Sequence, residues 1–275
     1  MSIELPTENE PVRVMCGESL DLLRGLPDAI FDAVITDPPY SSGGLTRGDR
    51  TQSVSTKYVQ TGSERFGSAD FDGDNRDQRS WSYWCQLWLS ECLRVTKPGG
   101  YILAFTDWRQ LPTLTDAVQA GGWVWRGLIS WDKGPSARAP APHYFRHQCE
   151  YVVWGTRGPS SPRADWPPEG KGCYPGSYSH SVKQDDKFHV TGKPTPLMRD
   201  LVFCVPPGGL ILDPFGGSGT TAVGAALEGR RCVTFEQKPD YCDVIRERVA
   251  HATSGKRGSL FAPTVQPRLF DPEAA

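Results

Sequence analysis

Apolar residues along this chain gather in short runs separated by longer amphipathic stretches. "VRVMC" (12–16), "FDAVI" (31–35), "YILAF" (101–105), "WVWRGLISW" (123–131), "CEYVVWGT" (149–156), "LILDPF" (210–215) and "RCVTFE" (231–236) are rich in β-branched and aromatic residues. Their length and content predict buried strands. Between them, "SLDLLRGL" (19–26), "SWSYWCQLWLSECLRV" (80–95), the region around 109–120, residues 195–204, the stretch after 219 and "YCDVIRERVAHA" (241–252) place apolar residues three and four apart. That spacing predicts helices with one buried face, the second of them stopped by "KPGG" (97–100). Strands alternating with helices specify an α/β fold: a mostly parallel twisted sheet covered by helices on both faces. Residues 149–156 follow 123–131 closely enough to pair with them as one antiparallel strand. Two stretches break the rhythm. Residues 41–80 and 157–190 are polar, rich in Gly, Ser, Pro and charge, and show no period. Stretches of that length inside a compact chain are usually functional or mobile.

The totals narrow the classes. A chain of 275 residues can form one large domain or a domain with an insertion. No apolar run approaches the ~18 residues of a membrane span, and the acidic start "MSIELPTENEPV" does not read as a signal peptide. Eight cysteines, at 16, 85, 92, 149, 173, 204, 232 and 242, contain no C-x-x-C pair. That spacing argues against structural zinc and for reduced thiols in a cytoplasmic protein. The formal net charge of −2 is unevenly spread: residues 1–40 hold eight acids and two bases, residues 133–199 ten bases and five acids. A locally basic segment of this kind suits a phosphate-facing surface.

Two segments carry chemistry. In "FDAVITDPPYSSGG" (31–44) a strand stops at an acid, two prolines and a tyrosine. Prolines end strand pairing because they lack an N–H and fix φ, but a rigid turn alone gives Asp37 and Tyr40 no task. In "LDPFGGSGTTAVGAALEGRRCVTFE" (212–236) a strand runs through a glycine turn into a helix and then a strand ending in Glu236. Glycines let backbone approach a ligand at a helix N-terminus, and an acid at the next strand end suits ribose hydroxyls. Gly217-x-Gly219-x-x-Ala222 would pass as a dinucleotide fingerprint, so a nicotinamide-dependent oxidoreductase is a competing reading. A dinucleotide site normally opens its domain, whereas here too little chain follows to build a second mononucleotide half. An adenosyl ligand without pyrophosphate needs only one half. Both motifs lie at carboxyl ends of strands, so in a parallel sheet they open on one crevice.

Read together, "DPPY" (37–40) and "DPFGGSGTT" (213–221), with "GKPTPLMRDLV" (192–202) and "CGESLDLL" (16–23), resemble the β group of DNA amino-methyltransferases. Matching segments run from about residue 12 to 250. The resemblance implies a Rossmann-like methyltransferase fold, S-adenosyl-L-methionine as cofactor, double-stranded DNA as partner and a flipped-out target base. It divides the chain into a catalytic half (1–156), a short target-recognition insert (157–190), a cofactor-binding half (191–252) and an extended tail (253–275). Asp37 and the Pro38 carbonyl would accept the two N–H bonds of an exocyclic amine, with Pro39 stiffening the turn and Tyr40 stacking on the base. Glu236 would hold the ribose, and Asp213, Phe215, Gly216, Gly217, Gly219 and Thr220 would surround the methionine part, with Lys193 and Thr195 near that end. Glu18 falls where the family usually has Asp; its other reading is a helix-capping acid. No metal is expected.

Arg47 and Arg50 in the loop 41–80, and Arg138, Arg146 and Arg163 in the basic stretch, are the expected DNA contacts. "QPRLF" (266–270) resembles peptides that bind bacterial sliding clamps, and a homodimer and a restriction partner are compatible with the family. A leading Asp favours adenine N6; cytosine N4 is the alternative within the class, and a catalytically silent DNA-binding module is the alternative outside it.

Overall fold

The computed structural model describes residues 4–41, 76–135, 137, 141–159, 173–181 and 193–254. Among the described residues eight strands form one sheet: β1 (Val12–Cys16), β2 (Phe31–Thr36), β3 (Thr96–Thr106), β4 (Val124–Asp132), β5 (Cys149–Thr156), β6 (Ser177–Ser179), β7 (Leu210–Asp213) and β8 (Arg231–Glu236). The described residues also form six helices: α1 (Ser19–Arg24), α2 (Gln78–Val95), α3 (Leu111–Ala120), α4 (Thr195–Val202), α5 (Thr220–Leu227) and α6 (Pro239–Thr253). The sheet order is β1-β8-β7-β2-β3-β5-β4-β6. Only β5 runs against the rest, pairing antiparallel with β3 on one side and β4 on the other. The α/β architecture with one antiparallel strand is the arrangement that the hydrophobic pattern predicts.

The two faces of the sheet are read off alternate residues. Val34, Ile102, Ala104, Leu212 and Phe235 point to the side covered by α1, α2 and α3. Ile35, Leu103, Phe105, Ile211 and Cys232 point to the side covered by α4, α5 and α6. Strands apolar on both faces are what a doubly covered parallel sheet needs, and β2 is buried along its whole length. Helix α2 starts where Asp77 accepts hydrogen bonds from the Arg79 and Ser80 amides. It buries Trp81, Trp84, Cys85, Trp88, Leu89, Cys92 and Val95, a stripe at helical spacing.

Two details depart from the pattern. Strand β3 begins at Thr96 rather than 101, so "KPGG" stops the helix from within a strand. Its register against β2 shifts between Phe31 and Ala33. There Gly100 lies so close that a Cβ would stand 2.8 Å from the Asp32 carbonyl oxygen. Asp32 is buried and accepts from the Lys97 ammonium at 2.9 Å and from the Leu210 amide at 2.8 Å, tying together the amino ends of β2, β3 and β7. The second departure is β6, a three-residue edge strand on β4 that no apolar run announced.

Candidate active site

The carboxyl ends of β2 and β7 lie side by side, since Ala33 pairs with Ile211 and Val34 with Leu212. The Thr36 hydroxyl donates to Asp213 Oδ1 at 2.7 Å, bolting one strand end to the other. The two motifs, 176 residues apart from Asp37 to Asp213, therefore share one crevice.

An acid stands at or just beyond the carboxyl end of every strand that runs in the parallel direction and is longer than three residues: Glu18, Asp37, Asp107, Asp132, Asp213 and Glu236. Five of them accept from the backbone amide two residues on. Glu18 takes Leu20 at 2.7 Å and, one residue further, Asp21 at 3.1 Å. Asp107 takes Arg109 at 3.0 Å, Asp132 takes Gly134 at 2.8 Å, Asp213 takes Phe215 at 3.1 Å, and Glu236 takes Lys238 at 2.9 Å. This is the local turn that acidic side chains favour. Asp37 departs from it, because the residue two positions on is Pro39, which has no N–H. Its partners are side chains: the Tyr40 hydroxyl donates to Oδ1 at 2.6 Å and the Lys193 ammonium to Oδ2 at 2.7 Å.

Behind Asp37 the charges continue. Lys193 also reaches Glu150 Oε2 at 3.3 Å, and Lys133 reaches Glu150 Oε1 at 3.1 Å. The Lys193 ammonium, its side chain 8% exposed, sits 5.2 Å from the centres of both the Tyr40 and Phe105 rings. Burial pushes the Asp37 carboxyl up from its ordinary range, with Lys193 and Tyr40 pulling the other way and Glu150 adding to the rise. Burial would also raise Glu150, but the two ammonium groups outweigh it and hold this carboxyl low. Burial opposes the charge on Lys193 as well, yet the facing carboxylates leave its pKa above normal. Burial, then the neighbouring acids, drive the Tyr40 hydroxyl well up. The Pro39 carbonyl accepts from the Trp81 indole at 2.8 Å, which fixes the turn from the helix side.

On the other side, Glu236 uses both carboxylate oxygens on backbone amides, Gly217 on one and Lys238 on the other, each at 2.9 Å. The Gln237 amide also donates to this carboxylate, and its remaining acceptor position is open to a further donor. Gly217 has φ +52°, and a Cβ built on it would meet nothing within 4 Å. The turn is therefore shaped with open space on its ligand side, as an adenosyl compound requires. Gly219, with φ +83°, begins α5 without a side-chain cap, and a Cβ there would strike Ile245 at 2.8 Å. Uncapped amides at that helix start suit the carboxylate end of a methionine moiety. Arg248 braces the turn from α6, donating to the Ser218 carbonyl at 2.5 Å and the Ser218 hydroxyl at 3.1 Å. Phe215 packs between Trp84 and Trp88, each ring centre 5.3 Å away. Burial and the nearby Asp37 charge push Asp213 up to about 6 against its hydrogen bonds. Burial likewise raises Glu236 against its amide donors.

The expected residues distribute as follows. Asp37 to Tyr40, Lys193, Asp213 to Gly219 and Glu236 come together at one end of the sheet. Thr195 is buried at the first position of α4, and Thr220 starts α5 within 3.4 Å of Arg248. Lys193 stands on Asp37 rather than on the glycine turn. Glu18 does cap α1, the second of its two readings. Arg146 is exposed and donates to the Ala137 carbonyl at 3.0 Å. Arg47, Arg50, Arg138, Arg163 and the segment 266–270 lie outside the described residues. Glu150, Lys133, Trp81 and Arg248 escaped the sequence reading. An acid inside the apolar run "CEYVVWGT" was the one available signal for Glu150. Among the described residues no group of acids, histidines and cysteines is arranged to hold a metal, and no helix is long and apolar enough to cross a membrane.

Comparison with known proteins agrees with this geometry. The family described as DNA methylase, N6_N4_Mtase, matches residues 31–247. The type II methyltransferase M.ScaI of Streptomyces caespitosus is 26% identical over 277 residues, spanning 86% of this chain and 81% of that one. Among solved structures, the M1.HpyAVI–SAM complex superimposes with a TM-score of 0.60 at 17% identity, covering 86% of this chain and 98% of the other. The cytosine-N4-specific PvuII DNA methyltransferase gives 0.62 at 18% identity and 86% coverage of each chain. At such identities the structures establish a shared Rossmann-like fold; the family match establishes more. The chain belongs to the S-adenosylmethionine-dependent DNA methylases that modify exocyclic amines, at N6 of adenine or N4 of cytosine.

Proposed function

We propose that this protein methylates adenine N6 in double-stranded DNA, acting on a base flipped out of the helix into the crevice at Asp37. The observation that carries the reading is the state of Asp37: a half-buried carboxylate at a strand end, barred from its own backbone by Pro38 and Pro39, beside the strand end that leads into the glycine turn. An exocyclic amine is a poor nucleophile because its lone pair is delocalised into the base. Asp37 accepts one of its N–H bonds and the Pro38 carbonyl the other, which favours a localised lone pair and stabilises charge as it develops. S-adenosyl-L-methionine, when bound, supplies an electrophilic methyl group on a sulfonium. Glu236 holds its ribose, and the turn Asp213–Thr220 with Phe215 its methionine part, so much of the rate comes from alignment. Thr195, at the start of α4, and Lys193, just before it, serve the same crevice.

The surface beside this crevice suits nucleic acid. Trp108 follows β3 and stacks on His147, which precedes β5, with ring centres 5.5 Å apart. Next to that stack Tyr144 is 70% and Phe145 95% exposed, with Arg146 adjoining. Aromatic rings and a guanidinium at the mouth of the site can stack on bases and pair with phosphates. In the same reading the segment 157–190 recognises the target, Arg47, Arg50, Arg138 and Arg163 add phosphate contacts, 266–270 docks on a sliding clamp, and the enzyme works as a homodimer. The leading Asp of the motif supports adenine over cytosine.

The test is to incubate the protein with methyl-labelled S-adenosylmethionine and unmethylated genomic DNA, digest to nucleosides and identify the labelled one by mass spectrometry. N6-methyladenine is expected. N4-methylcytosine would overturn the base assignment while keeping the site, and absence of label in DNA would overturn the substrate.

A further inference from the structure

Besides the Tyr40 hydroxyl, the catalytic carboxylate is held by the ammonium of a lysine. This creates a difficulty for the reaction proposed above. A nitrogen that gains positive charge as it is methylated must approach Asp37, yet a buried ammonium already lies 2.7 Å from Oδ2. Two cations on one carboxylate repel each other, and each weakens the acceptor for the other. Lys193 has another place to go: Glu150 Oε2 is 3.3 Å from the same ammonium. Glu150 is itself anchored by Lys133, so the seat is fixed before Lys193 arrives. The rings of Tyr40 and Phe105 flank the ammonium and favour a cation between them.

We propose that Lys193 is a latch on Asp37 and that Glu150 is its second seat: Lys193 holds the carboxylate until a base arrives, and shifts onto Glu150 when an amine takes Asp37. Both are positioning residues. The inference rests on the function proposed above for its consequence, though not for its geometry. Without the latch, Asp37 would be a half-buried carboxylate with neither backbone donors nor a cation beside it, and would hold a proton more readily. The groups that face Asp37 are Tyr40 from its own turn, Lys193 from the start of α4, Glu150 from β5 and Asp213 from β7; Asp107 lies beyond Tyr40 and Lys133 beyond Glu150.

Opposite shifts follow from the two ends of the latch. In Lys193→Met the cation is gone while Glu150 remains, so the Asp37 carboxyl titrates at higher pH. In Glu150→Gln an anion is gone and Lys193 stays on Asp37, so that carboxyl titrates at lower pH, and kcat falls by about 10- to 100-fold because the latch has no seat to move to. Two readings test this in the full-length protein. Carbon-13 NMR of labelled aspartate carboxyls, with Asp37→Asn for assignment, follows Asp37 without DNA. The acid limb of kcat against pH follows it during turnover. Shifts of opposite sign in the two variants support the latch; shifts of the same sign, or none, overturn it. If Glu150→Gln does not fold, Lys133→Met serves: it leaves Glu150 to pull harder on Lys193, and Asp37 should titrate higher, with no shift overturning the proposal. Should the wild-type protein transfer no methyl to DNA, the proposed function fails, while the NMR titration still decides the latch.

Discussion

Two ways of holding a carboxylate meet at the end of this sheet. On the cofactor side, Glu18, Asp213 and Glu236 grip the amide two residues on, and Asp107 and Asp132 repeat the device at β3 and β4. Those partners belong to the backbone and cannot leave without breaking the turn. On the base side Asp37 is served by a hydroxyl and an ammonium, both on side chains. Side chains can rotate away. The difference teaches why the motif has two prolines: they deny Asp37 the turn that its five counterparts make, and so keep its oxygens available to a visitor.

Four changes would break or sharpen that contrast. The largest effect belongs to Asp37→Ala, which should cut methyl transfer by about 1,000-fold or more by removing the amine's acceptor. Calorimetry should show cofactor binding unchanged, since the other acids are untouched. Next comes Asp213→Asn. The Asp213 pKa, pushed up to about 6 from 3.8, favours the neutral form in the folded protein. Its contribution is fully present below pH ~3.8 and lost as pH rises through 6. An amide escapes that loss, so the variant should gain about 3 kcal/mol on wild type between pH 4 and pH 7, read from denaturant melts across that range.

Third is Pro39→Ala, which restores an N–H where Asp37 can reach it and keeps the carbonyl that Trp81 uses. The carboxylate should fold back onto it, lowering kcat about 10-fold with cofactor affinity unchanged. Turnover like wild type would show that the missing amide is incidental. The smallest is Arg146→Ala, expected to weaken DNA binding a few-fold and to reduce the salt slope by about one. An unchanged slope would remove Arg146 from the DNA surface.

The frame was legible because it is made of runs whose apolar residues lie on both faces of one sheet. β5 and β8 occupy the spans that their hydrophobic residues marked. β6 was not legible: Ser-Tyr-Ser exists as a strand only because β4 offers it an edge. Nor was the start of β3, where the helix-stopping "KPGG" is drawn into pairing by the buried Asp32. In the site, Asp37, Asp213 and Glu236 stood out as acids at strand ends. Glu150 did not, because it reaches Asp37's neighbours only through the reversal of β5, which sets the beginning of that strand beside the ends of the others. Lys193 could be picked out from "GKPTP", but which of two acids it faces is decided by tertiary packing.

The sheet order carries a consequence for how the molecule comes to be made. β2 emerges from the ribosome early, yet the strands that flank it are β3, some sixty residues later, and β7, about 175 residues later. β1 waits longer still, for β8. Until residue 213 has been synthesised, the fully buried strand that leads into Asp37 has one open edge, and the cofactor cradle beside it is complete only with β8. Pairings so distant in sequence are slow to form and leave apolar edges exposed meanwhile. A chain interrupted before β7 should therefore be prey to aggregation and proteolysis, and the methylating centre should be born whole, only with the last strand.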